Sequence, residues 1–149
     1  MSIRLDIASV GMVTAVGLDA PSACAAMRAR LDGFQETRFV GSGTDFQIGA
    51  PVPLPRDWIG EKRMAAICEA FDAVPQARGQ TALILCLAEE DRPGRPVGDS
   101  FSLLRSVSEI TEIEPSIRSR IVAHGRPAGH IALDQARRMI SSGDVPYVM

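Results

Sequence analysis

Cysteine is scarce in this chain, and its few cysteines are poorly spaced for a metal site or a disulfide framework. The three residues, Cys24, Cys68 and Cys86, form an odd set with wide gaps between them. Cys24 and Cys68 fall on predicted helices, where a thiol usually acts as a small buried apolar group. We therefore predict no metal site, no cofactor and no disulfide, with Cys24 and Cys68 as buried thiols.

The chain also lacks a strong charge of either sign and any long hydrophobic run. Its net charge of -2 creates no large field that would attract nucleic acid or anionic lipid. No stretch approaches the roughly 18 apolar residues of a membrane span, and the first residues lack the basic-then-apolar order of a signal peptide. We predict a cytoplasmic protein that binds neither nucleic acid nor membrane. Of the 16 basic residues only Lys62 is a lysine, which is typical of a GC-rich bacterial genome.

The remaining composition is that of an ordinary globular protein. Hydrophobic residues make up 46% of the 149 residues and charged residues 23%. A chain of this length can bury a substantial core. We therefore predict a single domain over residues 1–149.

Hydrophobic spacing predicts strands that alternate with helices. The predicted strands cover residues 4–13, 35–40, 46–52, 81–88, 118–123 and 145–149. The predicted helices cover residues 19–33, 60–74, 101–113 and 127–142. In the first helix, Ala23, Met27 and Leu31 share one face and are expected to point inward. The fourth helix has the clearest apolar face, made of Ile131, Ala132, Ala136, Met139 and Ile140.

The run at residues 81–88 is apolar almost throughout, which is typical of a strand buried on both faces of a parallel sheet. The strands at 35–40 and 46–52, joined by Gly-Ser-Gly, predict a peripheral hairpin. We therefore predict an α/β fold in which a layered, mixed but mostly parallel sheet is covered by helices.

Two neighbouring segments are candidates for a ligand site. His124, Gly125 and Arg126 precede the fourth helix, where Arg126 beside free N–H groups could form an anion pocket or could simply face solvent. Glu89 follows the buried strand, at the end of the sheet where open α/β folds usually bind ligands. Paired acids there suggest metal binding or acid–base chemistry, although a solvated loop is the simpler interpretation.

Other conspicuous residues carry less information. His124 and His130 lack a third metal ligand at matching spacing, so capping or core roles are favoured over a metal site. Trp58 could anchor a partner or cover the core.

Both ends of the sequence resemble one enzyme family. The segment Ile7-Ala-Ser-Val-Gly-Met-Val-Thr-Ala-Val-Gly-Leu-Asp-Ala-Pro-Ser resembles the opening of β-ketoacyl synthases. The segment Ala136-Arg-Arg-Met-Ile-Ser-Ser-Gly-Asp-Val-Pro-Tyr-Val-Met is similar to a later helix and strand of the same family. Together they imply the N-terminal half of a thiolase-like fold, and we expect the last strand to continue beyond Met149.

The resemblance implies a site without its catalytic residue. In the family a nucleophilic cysteine lies at the start of a buried helix, where the helix dipole favours the thiolate. Alignment on Ala136 and Gly143 places that position at about Arg126, which cannot form an acyl intermediate. The histidines that the family uses for decarboxylation belong to its second half. The resemblance therefore implies no catalytic residue in this chain.

Three functional hypotheses follow. The first is a noncatalytic β-ketoacyl synthase-like protein that acts through protein contacts as a homodimer or with a protein partner, since family members pair their central sheets across a two-fold axis. Accessory proteins of bacterial type VI secretion clusters have a similar general appearance. The second is a fragment of a 3-oxoacyl synthase or acyltransferase that is completed by a missing half or a partner. The third is a module that binds a small ligand such as acyl-CoA, or an acyl carrier protein, in a pocket formed by His124, Gly125, Arg126 and Glu89.

Overall fold

The computed structural model describes residues 4–43, 45–53, 64–93, 100–114 and 116–149, with the side chains of Ser100 and Phe101 left out. The chain divides into two compact units. We call Ser9–Ala73 the hairpin unit, and Met1–Ala8 with Val74–Met149 the sheet unit. No helix among the described residues is both long enough and apolar enough to cross a membrane.

The hairpin unit begins with a well-capped helix, α1, at Ala20–Arg28. Asp19 is its N-cap and accepts a 2.8 Å hydrogen bond from the Ser22 N–H, and a proline follows in the first turn. Hydrogen bonds from the Ser22 hydroxyl and then from its backbone lower the pKa of Asp19. The cap therefore stabilises the charged carboxylate as well as the helix end.

A carboxylate from the second helix, α2 at Ala65–Ala73, ties the start of the hairpin unit together. Glu69 accepts a 2.9 Å hydrogen bond from the Ala20 N–H and a 3.0 Å bond from the Met12 N–H. The first of these donors lies at the start of α1, where N–H groups lack partners within the helix. One side chain thus fixes the loop before α1 and the beginning of α1.

Two predictions for the first part of the chain are wrong. Residues 4–13 form no strand, and the only bridge nearby among the described residues joins Thr14 to Gly17. In α1 only alanines are buried, whereas Met27 and Leu31 are exposed. The strand was not formed because a strand requires a neighbouring strand, which local apolar content does not reveal. Leu31 is not covered because α1 ends at Arg28, before it reaches Leu31.

The predicted hairpin is present, with a shorter second strand. Strand β1 at Gln35–Val40 pairs antiparallel with β2 at Phe46–Gly49. Glu36 lies opposite Ile48 and Val40 opposite Phe46, with a shift of register between them. Both faces of this hairpin are largely open to solvent.

The sheet unit is built on parallel strands, as predicted. Its strands are β3 at Thr81–Ala82, β4 at Ile84–Leu87, β5 at Arg120–Ala123 and β6 at Tyr147–Val148. Strand β3 pairs with β6 and β4 pairs with β5. The Ile84 N–H donates to Met149 O (2.7 Å) and the Arg120 N–H to Leu83 O (2.8 Å), so residues 81–87 are hydrogen-bonded on both sides. The apolar run is therefore the central strand of this sheet. The prediction that it is buried on both faces is right only for residues 81–84, because Leu85 and Leu87 are partly exposed and Cys86 is exposed.

Two helices accompany the sheet, α3 at Ser100–Thr111 and α4 at Ala128–Ser141. Helix α4 packs on β4, β5 and β6, and α3 lies against β5. A hydrophobic core cluster consists of Ala82, Ile84, Val122, Ala128, Met139 and Val145, with Ile131, Ala132, Ala136 and Val148 packed against it. Strands, helices and short parallel and antiparallel pairings together confirm the α/β class.

The cysteines lie on the predicted elements but are less buried than expected. Cys24 on α1 and Cys68 on α2 are both partly exposed, and Cys86 on β4 is exposed. The prediction that Cys24 and Cys68 are buried is therefore wrong, because both helices are short and only part of each is covered. No disulfide joins these three residues.

Candidate functional site at the start of helix α4

A tight turn connects β5 to α4. The Gly125 N–H donates a 2.9 Å hydrogen bond to Leu87 O, which ties the turn to the end of β4. The Ala128 N–H then donates to Gly125 O at 3.0 Å as the chain enters the helix. Gly125 has φ +58, a left-handed conformation in which a side chain would be strained. The sequence needs glycine here because the chain reverses direction within a few residues.

The carboxylate of Glu89 lies directly over Gly125. A Cβ atom at Gly125 would overlap both carboxylate oxygens of Glu89. The Glu89 carboxylate therefore occupies the space that a side chain at residue 125 would need. Arg92 approaches the same carboxylate, with 3.7 Å between Nη1 and Oε2. The turn and the loop after β4 are thus joined through a single side chain.

The electrostatics of this arrangement favour the observed carboxylate. The start of an α-helix carries partial positive charge from its unpaired N–H groups and stabilises nearby anions. Glu89 is about half exposed and lies at the turn that leads into α4. The structure therefore brings a charged group of the chain itself to the place where the sequence suggested a pocket for an external anion.

The other predicted site residues do not enclose the contact between Glu89 and Gly125. His124 and Arg126 are both exposed, and so is His130 on the first turn of α4. Glu90 and Asp91 are likewise exposed in the loop after Glu89. Within the described ranges, no group of three His, Cys, Asp or Glu side chains could hold a metal ion. Trp58 lies outside the described residues.

Two neighbours of the turn were missed by the sequence analysis. Arg92 is the ion-pair partner of Glu89, and the spacing of three residues in a turn-forming loop was the available signal. Cys86 lies on β4 opposite Val122 of β5, three residues before Glu89. Burial of part of its side chain raises the pKa of the Cys86 thiol, so the reactive thiolate is disfavoured there.

An open cavity of about 420 Å³ is found at the opposite, amino-terminal end of the parallel strands. Its lining residues are Arg120, Gln135, Arg138, Met139, Ser142 and Asp144. The Gln135 Oε1 atom is buried and has no hydrogen-bond partner among the described residues. Much of the remaining polar lining is internally paired, because Asp144 binds Arg118 and Arg138 binds Asp134. This cavity and the predicted pocket are different places in the sheet unit.

Chemically, the turn before α4 offers an ion pair and exposed basic side chains. Glu89 and Arg92 can hold the turn in place or bind a polar surface, but neither forms an acyl thioester, which requires a thiol. Among family models, curated proteins and solved structures, none matches this chain.

Proposed function

We propose that this chain is a noncatalytic, β-ketoacyl synthase-like protein that acts through protein contacts. The proposal rests on the turn before α4, where Arg126 occupies the position that the family resemblance assigns to the nucleophile. The contact between Glu89 and Gly125 supports it most directly, because the chain's own carboxylate fills the space beside this turn. A negative charge at that place opposes formation of a thiolate or an oxyanion.

The proposal includes a role as an accessory or adaptor protein of the kind found with bacterial type VI secretion systems. Exposed basic residues next to the turn, Arg126 and His130, are suited to contact an acidic protein surface. Such contacts require neither a nucleophile nor a bound cofactor. The turn then serves to present side chains rather than to transform a substrate.

The competing hypothesis is that the chain is part of an acyltransferase completed by another half or by a partner. In that case the acyl group is carried either by the missing half or partner or by one of the three cysteines of this chain, of which Cys86 is nearest in sequence to the turn. Its raised pKa lowers the thiolate fraction at neutral pH. We therefore expect Cys86 to be a poor acyl acceptor.

An acyl-loading experiment tests whether this chain itself carries an acyl group. The purified chain is incubated with acetyl-CoA, malonyl-CoA or an acyl carrier protein that bears either group, and its intact mass is measured before and after hydroxylamine. We expect no hydroxylamine-labile adduct above the level of a Cys86→Ala variant. A labile adduct on the unmodified chain that this variant, or the matching Cys24→Ala or Cys68→Ala variant, lacks would overturn the noncatalytic proposal.

A further inference from the structure

The apolar side chains of strand β1 and of its partner β2 are exposed to solvent. Phe39 is 64% exposed and Val40 56%, while Phe46 and Ile48 of β2 are 54% and 64% exposed. Among the described residues β1 pairs with β2 alone, so its other edge has no strand beside it. Two-stranded hairpins are only marginally stable in water, and a third or fourth strand makes such a sheet more stable.

The free edge of β1 is identified by hydrogen bonds on its paired side. The Phe39 N–H donates to Thr37 Oγ1 (3.3 Å), and this hydroxyl in turn donates to Gln47 O on β2 (2.8 Å). The Phe39 N–H is thus linked to β2 through the Thr37 hydroxyl. The register shift between Glu36 and Val40 interrupts the ladder with β2, so the extra residues of β1 in this segment are not paired with β2 residues and are available to another strand.

The charged side chains on this edge are complementary to those on the same edge of a second copy. Glu36 and Arg38 flank Thr37, and neither makes an ion pair with another residue in the described part of the chain. We propose that β1 pairs antiparallel with β1 of a second copy of this chain, with Thr37 on the two-fold axis. Glu36 of each copy then lies opposite Arg38 of the other, and two opposite-charge pairs form.

Neighbouring two-fold registers are disfavoured by the same charges. A two-fold axis at Glu36 would set two carboxylates opposite each other, and an axis at Arg38 would oppose two guanidinium groups. Like charges directly opposite each other destabilise a strand pair. The Thr37 register also sets Phe34 opposite Val40, both of which are exposed in the single chain. The second copy is therefore the occupant that matches this edge.

The proposed pairing produces a continuous sheet of four strands, two from each copy. It uses the edge of β1, whereas the family resemblance implies pairing through central sheets. It is also independent of the proposed noncatalytic function, since dimerisation through β1 involves no residue of the turn before α4. Failure of either proposal leaves the other standing.

Charge reversal combined with mixing provides the decisive test. Sedimentation equilibrium is measured for the unaltered chain, for Glu36→Arg, for Arg38→Glu and for the double variant. Each single reversal replaces both opposite-charge pairs by like-charge pairs, so we expect dimer dissociation constants at least about tenfold higher. The double variant restores opposite charges and should dimerise again. An equimolar mixture of the two single variants should form heterodimers, which also shows that both variants fold.

A matched control uses an ion pair elsewhere on the surface. Arg105→Glu disrupts the exposed pair with Glu109 on α3 and should leave self-association unchanged. A chain that stays monomeric up to millimolar concentration would overturn the inference. A dimer whose dissociation constant is unaffected by Glu36→Arg and Arg38→Glu, or a mixture that does not associate, would do the same.

A covalent trap tests the register itself. In the proposed register the two Thr37 residues lie directly opposite each other, and the Cα atoms of such antiparallel pairs are about 4.5–5.5 Å apart. This separation is within the range of a disulfide. We expect Thr37→Cys to give an oxidised dimer in which the peptide containing residue 37 is linked to itself. The exposed turn variant Asp45→Cys should not, and equal trapping at both positions would contradict the proposed register.

Discussion

The β1–β2 hairpin and the parallel strands of the sheet unit are both β structure, but the parallel strands contain buried residues and the hairpin strands contain none. In the sheet unit Leu83 is 1% exposed and Ile84 8%, whereas in the hairpin Phe39 is 64% and Ile48 64% exposed. The central strand is apolar along almost its whole length and is hydrogen-bonded to neighbours on both sides, with α4 packed against it. The hairpin strands mix polar and apolar residues and are uncovered in the chain. The comparison teaches that an element's apolar residues stabilise it only where another element covers them.

The largest expected difference between the two regions is in their response to truncation of one side chain. Leu83→Ala should lower the free energy of unfolding by about 2–5 kcal/mol, because it removes buried contacts and leaves a cavity. Ile48→Ala on the hairpin should change it by about 0.5 kcal/mol or less, since that side chain already contacts solvent. Urea denaturation of each purified variant measures both. Equal losses would show that the hairpin is covered in solution and would contradict the difference in burial between the two regions.

A glycine comparison within the sheet unit gives a smaller effect. Gly125→Ala should cost about 1–2 kcal/mol of unfolding free energy, because φ +58 is unfavourable for alanine. Its new methyl group would also displace the Glu89 carboxylate. Thermal denaturation of Gly125→Ala, measured with and without Glu89→Ala, separates the backbone strain from this overlap.

The matched control is Gly129, which lies in α4 with open space where its side chain would be. Gly129→Ala should be neutral or stabilise the chain by up to about 1 kcal/mol, since alanine is the better helix former. If Gly125→Ala were as well tolerated as Gly129→Ala, the turn before α4 would not need its left-handed glycine. The strain expected for a side chain at residue 125 would then be absent.

Sequence patterns predicted the sheet unit better than the hairpin unit. The unbroken apolar run at residues 81–88 and the apolar face of α4 each carry a strong periodic signal, and both elements are where they were predicted. Residues 4–13 have apolar content as well, but whether a segment becomes a strand depends on a partner that is distant in sequence. Met27 and Leu31 share a face with buried Ala23 and are nonetheless exposed, because helix spacing shows which residues align but not how far a neighbour extends.

The candidate site could be predicted only in part. Glu89 and Gly125 were both recognised from their places at the ends of predicted strands. Their direct contact was not, because it depends on the pairing of β4 with β5 that brings residues 36 positions apart together. The left-handed conformation of Gly125 was equally invisible, since glycine tolerates it without any signal in neighbouring residues.

The central claim is that the chain's own Glu89 carboxylate, rather than an open active site, fills the space beside the turn before α4. The most direct measurement is the alkylation rate of an Arg126→Cys thiol at neutral pH, compared with the same variant that also carries Glu89→Gln. Removal of a nearby negative charge lowers the pKa of a thiol, so the account predicts a rate about threefold to tenfold higher with Glu89→Gln and no change with the exposed neighbour Glu90→Gln. Equal rates in all three chains would contradict the claim.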